Sequence, residues 1–234
     1  MSQLKSIKIN TPTYREIIPS SKKEIFIKPF KVADEKVLLM AAESQDPVQL
    51  ADSLINVISN CIEGEDVSNL ASYDMEYLFL KIRSKSVGET AKLSTKCSEC
   101  ETATPFEIDL QDLKVVGVDS YETVIKVTSD LTIEMKQPAL QDMLKLTSED
   151  PDGVMRYIAN SVKNVFYGEE VFNINTEEEV NDLIEILDQL TTEQFSPIQQ
   201  YILNVPKVVK DTTAECPHCG HINDVKLEGL ADFF

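Results

Sequence analysis

Lys96-Cys97-Ser98-Glu99-Cys100 and Glu215-Cys216-Pro217-His218-Cys219-Gly220-His221 are the two stretches that decide how this chain is read. Each is a C-x2-C knuckle. Each precedes a strand-like run, Phe106-Glu107-Ile108-Asp109-Leu110 after the first and Val225-Lys226-Leu227 after the second. Phe106 stands six residues past Cys100, and Val225 stands six past Cys219. One pair offers two thiolates, half the set that a tetrahedral structural zinc takes. Cys97, Cys100, Cys216 and Cys219 together complete it. The 115 residues between the pairs far exceed the spacing of a compact zinc ribbon. A shared Zn2+ therefore requires two related halves that bring their knuckles together. The competing readings are two unliganded thiol pairs, or a zinc site lost from this particular chain. A redox C-x2-C sits at a helix N-terminus, which lowers its thiol pKa, whereas strands follow these cysteines.

The chain between the knuckles carries the repeat that a shared site needs. Asp46-Pro47 reads as N-cap and first helical residue. The apolar stripe Leu50, Leu54, Ile58, Cys61 and Ile62 follows, and Gly64 closes the helix. A shift of 104 residues lands on Asp150-Pro151, Val154, Ile158, Val162, Val165, Phe166 and Gly168, with cap, stripe and glycine all preserved. The knuckles recur at the larger offset of 119, so the second half holds extra chain. An added helix at about 176–190 accounts for it, opened by Thr176 with Glu179 three residues on as a capping box. The expected fold is α+β, with internally duplicated helical-plus-strand units, each carrying a zinc knuckle, joined at one four-cysteine site. Its parts are an extended N-terminal arm (1–22), a first repeat (23–118) and a second repeat (119–234).

Other elements follow from composition and period. Strands are expected at 24–29, 89–96, 104–110, 122–127, 131–135 and 205–212, and helices at 32–43, 139–147 and 191–203. The 32–43 helix should bury Val37, Leu38, Met40 and Ala41. A helix at 73–85 is apolar nearly all round, with Met75, Tyr77, Leu78, Phe79, Leu80 and Ile82, which places it in the core or at an interface. Gly220 follows the second knuckle where the backbone turns left-handed. Glu101 occupies the matching position in the first knuckle, a departure from that pattern. His221 is a substitute ligand only if a cysteine fails, His218 should point outward, and Cys61 reads as core.

A formal charge of −18 disfavours phosphate backbones and anionic membranes as partners. The basic cluster Lys81, Arg83 and Lys85 reads as a helix C-terminal turn. No signal-like leader and no membrane-length apolar run is present, so the cysteines are expected to be reduced in a cytoplasm. Both histidines lie at the second knuckle, and no glycine-rich phosphate cradle occurs. Four thiolates also close a zinc site against substrate. The expectation is a protein without enzymatic activity and without a small-molecule substrate.

Ile25-Phe26-Ile27-Lys28-Pro29-Phe30, the run from Asp74 through Met75-Glu76-Tyr77-Leu78-Phe79-Leu80-Lys81-Ile82-Arg83 to Gly88, and the cysteine knuckles resemble the baseplate hub and hub-assembly proteins of T-even-like contractile-tailed bacteriophages. The similarity runs from about residue 23 to the end. It implies a protein that binds other baseplate or hub proteins, made in the host cytoplasm and placed in the virion tail baseplate. An assembly chaperone absent from the virion, or an acidic zinc-binding regulator aimed at host proteins, are the alternatives. Candidate partner surfaces are the arm (Ile7, Ile9, Tyr14), the Met75–Ile82 helix and the tail Phe233-Phe234. Against these stand self-packing of the arm, core burial of the helix, and folding of the tail onto its own knuckle.

Overall fold

The computed structural model of the protein describes residues 9–44, 46–67, 70–140 and 151–233. The expected helix at 139–147 falls largely outside them, as do the expected cap Asp150 and the candidate contact residues Ile7 and Phe234.

In the first half, strands β1 (Tyr14–Ile17) and β2 (Glu24–Ile27) form an antiparallel hairpin. Helices α1 (Val32–Glu43) and α2 (Pro47–Cys61) follow, and β3 (Ile62–Glu63) returns to pair with β2. Asp46 caps α2 by accepting from the Val48 and Gln49 amides, as the Asp-Pro signal requires. Ile25 and Ile27 from the hairpin pack with Leu54, Ile58, Cys61 and Ile62 into one core. Two expectations need correction here. Residues 14–17 are a sheet strand and not part of an arm. Helix α1, which lies against α2, buries only Ala41 of its apolar residues and leaves Val37 and Met40 exposed.

Helix α3 (Ser72–Ser86) is the pivot of the molecule. Met75, Leu78, Phe79 and Ile82 face the first core, whereas Leu80 faces a second cluster shared with Val208, Leu227 and Phe233. Two cores on two sides explain a helix that is apolar nearly all round. Lys81 is buried too, its ammonium donating to the Gln111 carbonyl at 2.6 Å and lying 5.3 Å from the centre of the Tyr77 ring. Lys85 pairs with Glu89, so Lys81, Arg83 and Lys85 do not form a common basic surface.

Two antiparallel ribbons carry the knuckles: β4 (Thr90–Lys96) with β5 (Ala103–Asp109), and β11 (Lys207–Glu215) with β12 (Ile222–Glu228). Strand β6 (Lys114–Val116) leaves the first half and joins the edge of β11, stitching the halves together. Every pairing of the first ribbon, from Thr90 with Asp109 to Lys96 with Ala103, recurs 119 residues on, from Val209 with Glu228 to Glu215 with Ile222.

The second half repeats the order of the first. Strands β7 (Val124–Lys126) and β8 (Leu131–Met135) form a hairpin, α4 (Pro151–Asn160) follows, and β9 (Val162–Tyr167) returns to pair with β8. Strand β10 (Glu170–Asn173) extends this sheet. Helix α5 (Glu177–Leu187) is the added element, opened by the expected Thr176–Glu179 capping box, and α6 (Thr192–Leu203) is the counterpart of α3. The 104-residue register does not survive. Val162, Val165 and Phe166 lie on β9 and not on a helix, and Gly168 turns the β9–β10 hairpin at φ +60. A bulge at Glu134/Met135 shifts the pairing, and it gives β9 a burial spacing of three that reads as helical. β-branched and aromatic residues with Asn164 among them favour the strand.

Candidate metal centre

Each knuckle is the turn that closes its ribbon. In the first, the Cys97 amide donates to Thr102 O (3.0 Å) and the Glu101 amide to Cys97 O (2.9 Å). In the second, Cys216 donates to His221 O (2.8 Å) and Gly220 to Cys216 O (2.9 Å). These are the same two bonds, 119 residues apart. They require a left-handed residue after the last cysteine. Gly220 takes φ +72 without a Cβ, and Glu101 takes φ +57 despite having one. The departure at Glu101 leaves the turn geometry unchanged.

The four sulfurs converge. All lie within 4.8 Å of one another, with Cys97 and Cys219 at 3.7 Å and Cys100 and Cys216 at 3.5 Å. A tetrahedral ion with Zn–S bonds of about 2.3 Å sets its sulfurs about 3.8 Å apart, so the spacing suits one ion. It is far too long for a disulfide. Each close pair takes one cysteine from each ribbon, which makes the cluster a joint between the halves.

Electrostatics favour a cation at the centre. The Cys216 thiol is drawn down to about 6, first by the Cys219 amide and then, against the cost of burial, by the His218 amide. Burial pushes the Cys97 thiol up, but the Cys100 and Glu99 amides outweigh it and the net shift is downward. The donors correspond at the 119 offset. Cys219 has the His221 amide as its helper, yet its three sulfur neighbours drive its thiol up to about 12. Negative charge thus gathers among sulfurs that cannot all ionise together, and a divalent cation would balance it. Cys97 and Cys216 are buried, Cys100 is half-buried and Cys219 is exposed, so an ion has a way in from the Cys219 side.

Beyond the thiols, the ribbons hold each other at equivalent places. The Asn223 carbonyl accepts from the Ser98 amide (2.9 Å) and hydroxyl (3.1 Å) on the opposite knuckle, while its amide group donates to Ala214 O (3.1 Å). Thr104, the residue 119 positions earlier, is buried with its hydroxyl against Cys216. Sequence reading missed both, although the offset that matches the cysteines also matches Thr104 to Asn223. His218 is exposed, and neither histidine belongs to the four-residue cluster. Cys61 lies apart in the first core, its thiol pushed up to about 11, chiefly by burial.

The expected partner surfaces fare unevenly. Ile9 is 88% exposed. Tyr14 is half-buried on β1 with Lys85 over its ring, and the Met75–Ile82 helix is internal. Phe233 is fully buried beside Leu80 and Val208, so its side chain offers nothing to a partner. The tail is taken up by the core that the two ribbons share with α3.

The described residues form an α+β protein of helices and antiparallel sheets, in which four cysteines lie close enough together to form a metal site. The chain belongs to the T4 bacteriophage base plate protein family, whose model matches residues 11–234. It is therefore a bacteriophage baseplate protein. No curated protein and no solved structure matches it. Among the described residues, no helix is long and apolar enough to cross a membrane.

Proposed function

We propose that this baseplate protein is a non-enzymatic subunit of the hub, retained in the virion, which binds other baseplate proteins and is held in shape by one structural Zn2+. Cys97, Cys100, Cys216 and Cys219 are its ligands, and Asn223 and Thr104 brace them. The observation that carries this reading is the convergence of two equivalent knuckles from opposite halves into a single four-sulfur cluster. A thiolate set of that kind leaves no coordination position for substrate, so the ion acts as a fastener. Its binding energy, on the order of 10 kcal/mol, becomes folding energy and rivals the net stability of a typical domain. Assembly takes place in the host cytoplasm, where thiols stay reduced. The acidic surface favours protein partners over nucleic acid or anionic membrane.

Quantitative mass spectrometry of purified virions, alongside infected-cell lysate, tests the role. A fixed stoichiometry against known tail proteins is expected. Presence in lysate with absence from virions would instead identify an assembly chaperone that leaves.

A further inference from the structure

The two ribbons meet unequally. By the 119-residue offset β4 corresponds to β11 and β5 to β12, so the pair β4 and β12 is the counterpart of β11 and β5. Strand β5 lies alongside β11, whereas a cleft of about 650 Å³ opens between β4 and β12. One wall is the unbroken run Lys92–Thr95, and the other is Val225–Leu227. Leu93, Phe106 and Val225 line it and stay half-buried, although all three pack against the core that the ribbons share.

The backbone bonds fix what β4 turns outward. In an antiparallel ribbon, opposed residues alternate between bonded and unbonded pairs. Glu89 with Leu110 and Cys97 with Thr102 bracket the first ribbon and are bonded, at 2.8 and 3.0 Å. Ala91, Leu93 and Thr95 therefore turn their N–H and C=O groups to β5, and Thr90, Lys92, Ser94 and Lys96 turn theirs away from it. Strands β4 and β5 form a two-stranded sheet, and among the described residues no partner meets these outward groups. The ribbon's other edge is blunted, because Pro105 stands at an outward position of β5 and has no N–H. The same alternation turns Asp224, Lys226 and Glu228 outward on β12, where Asp232 already accepts from the Glu228 amide at 2.8 Å. The β4 edge has no such cap, and an unpaired edge is a template for another strand.

We infer that the cleft takes an extended segment of another baseplate protein, which pairs with β4 through the main chain of Lys92 and Ser94 and lays alternate apolar side chains over Leu93, Phe106 and Val225. The inference rests on the reading of this chain as a protein-binding baseplate subunit and names the surface and chemistry of that binding. A row of backbone donors and acceptors is answered by a strand, whereas a helix has already spent its own. Charge does not choose the occupant, since Lys92 and Lys226 already pair with Glu107 and Glu228. A second copy fits poorly. Strand β4 paired with itself about Ser94 sets Lys92 opposite Lys96, and like charges opposed across strands are destabilising.

The test uses the full-length protein and a fluorescein-labelled nonapeptide of alternating Val and Thr with capped, uncharged ends. A twin N-methylated throughout keeps the side chains and loses every main-chain donor. By fluorescence anisotropy the first should bind, and the twin should bind at least about tenfold more weakly. Lys92→Pro deletes an N–H that β5 does not use, at an edge position that tolerates proline, and should weaken binding at least about tenfold. Lys92→Ala removes the charge and keeps the N–H, so it should bind as wild type does. Val171→Pro, at an outward position on the edge strand β10, should also leave binding unchanged. Hydrogen exchange on the wild type gives a reading that needs no variant: the peptide should slow exchange within residues 90–96. No binding to wild type, slowed exchange only elsewhere, or normal binding by a folded Lys92→Pro variant overturns the proposal. A wild-type dimer in sedimentation that Lys92→Pro dissolves would assign the edge to a second copy and overturn it too. Metal content and virion stoichiometry are read separately, so a failed cleft leaves the structural-subunit reading standing, and its failure there leaves the cleft measurable.

Discussion

Thr104 and Asn223 stand 119 residues apart at the same place in two copies of one ribbon, and each reaches the knuckle of the other copy. Asn223 satisfies the Ser98 amide, and Thr104 lies against the Cys216 sulfur. Each half is thus completed by the other, first through shared sulfurs and then through this exchange of polar groups.

Asn223→Ala strips a partner from the Ser98 amide, at a part-buried bond, and from the buried Ala214 carbonyl. Loss of a buried hydrogen-bond partner costs about 1–3 kcal/mol. The expected result is a destabilisation of that size in urea, with faster metal loss to a chelator, because Ser98 adjoins Cys97. Wild-type stability and metal retention would show that the exchange between ribbons is incidental.

Glu101 and Gly220 offer a matched pair of opposite substitutions. Nothing lies within 4 Å of a Cβ built at Gly220, so Gly220→Ala meets only the strain of a left-handed backbone. That strain is about 1–2 kcal/mol. Glu101→Gly relieves the same strain and loses up to about 1 kcal/mol to unfolded-chain entropy, so it should be neutral or mildly stabilising. Thermal melts of the two variants check the contrast in sign.

Glu76 gives the fold a pH dependence. Burial, set against the Leu230 amide and the charge of Lys207, lifts its carboxyl from an ordinary 4.5 to about 7. Between those values the folded chain keeps a proton that the unfolded chain has released. Stability therefore falls as pH rises from about 4.5 to about 7, then levels off. The full effect is on the order of 3 kcal/mol. Glu76→Gln should flatten this part of the profile and raise stability at pH 8. A profile that keeps its slope in the variant would assign the effect to other groups.

The sequence made the cluster of four cysteines and the element order legible, for different reasons. Knuckles were readable because a C-x2-C turn is a local motif whose ligands and hydrogen bonds are set within a few residues. The caps at Asp46 and Thr176 were local in the same sense. Strand β9 was not, because its pairing with β8 and the bulge at Glu134/Met135 are decided across the chain. The exposure of α1 and the burial of Phe233 and Lys81 were equally out of reach, since they depend on which layer covers which. Asn223 sits between them: its role is tertiary, but its place was marked by the offset the cysteines define.

Metal analysis of the protein purified without added zinc, beside Cys97→Ser and Cys216→Ser variants, tests the shared site most directly. The account predicts one zinc per chain in the wild type and its loss in either variant, since each removes a ligand from the same ion. A variant that keeps its full zinc while the other loses it, or a wild type that holds none, would contradict a single ion joining the two halves.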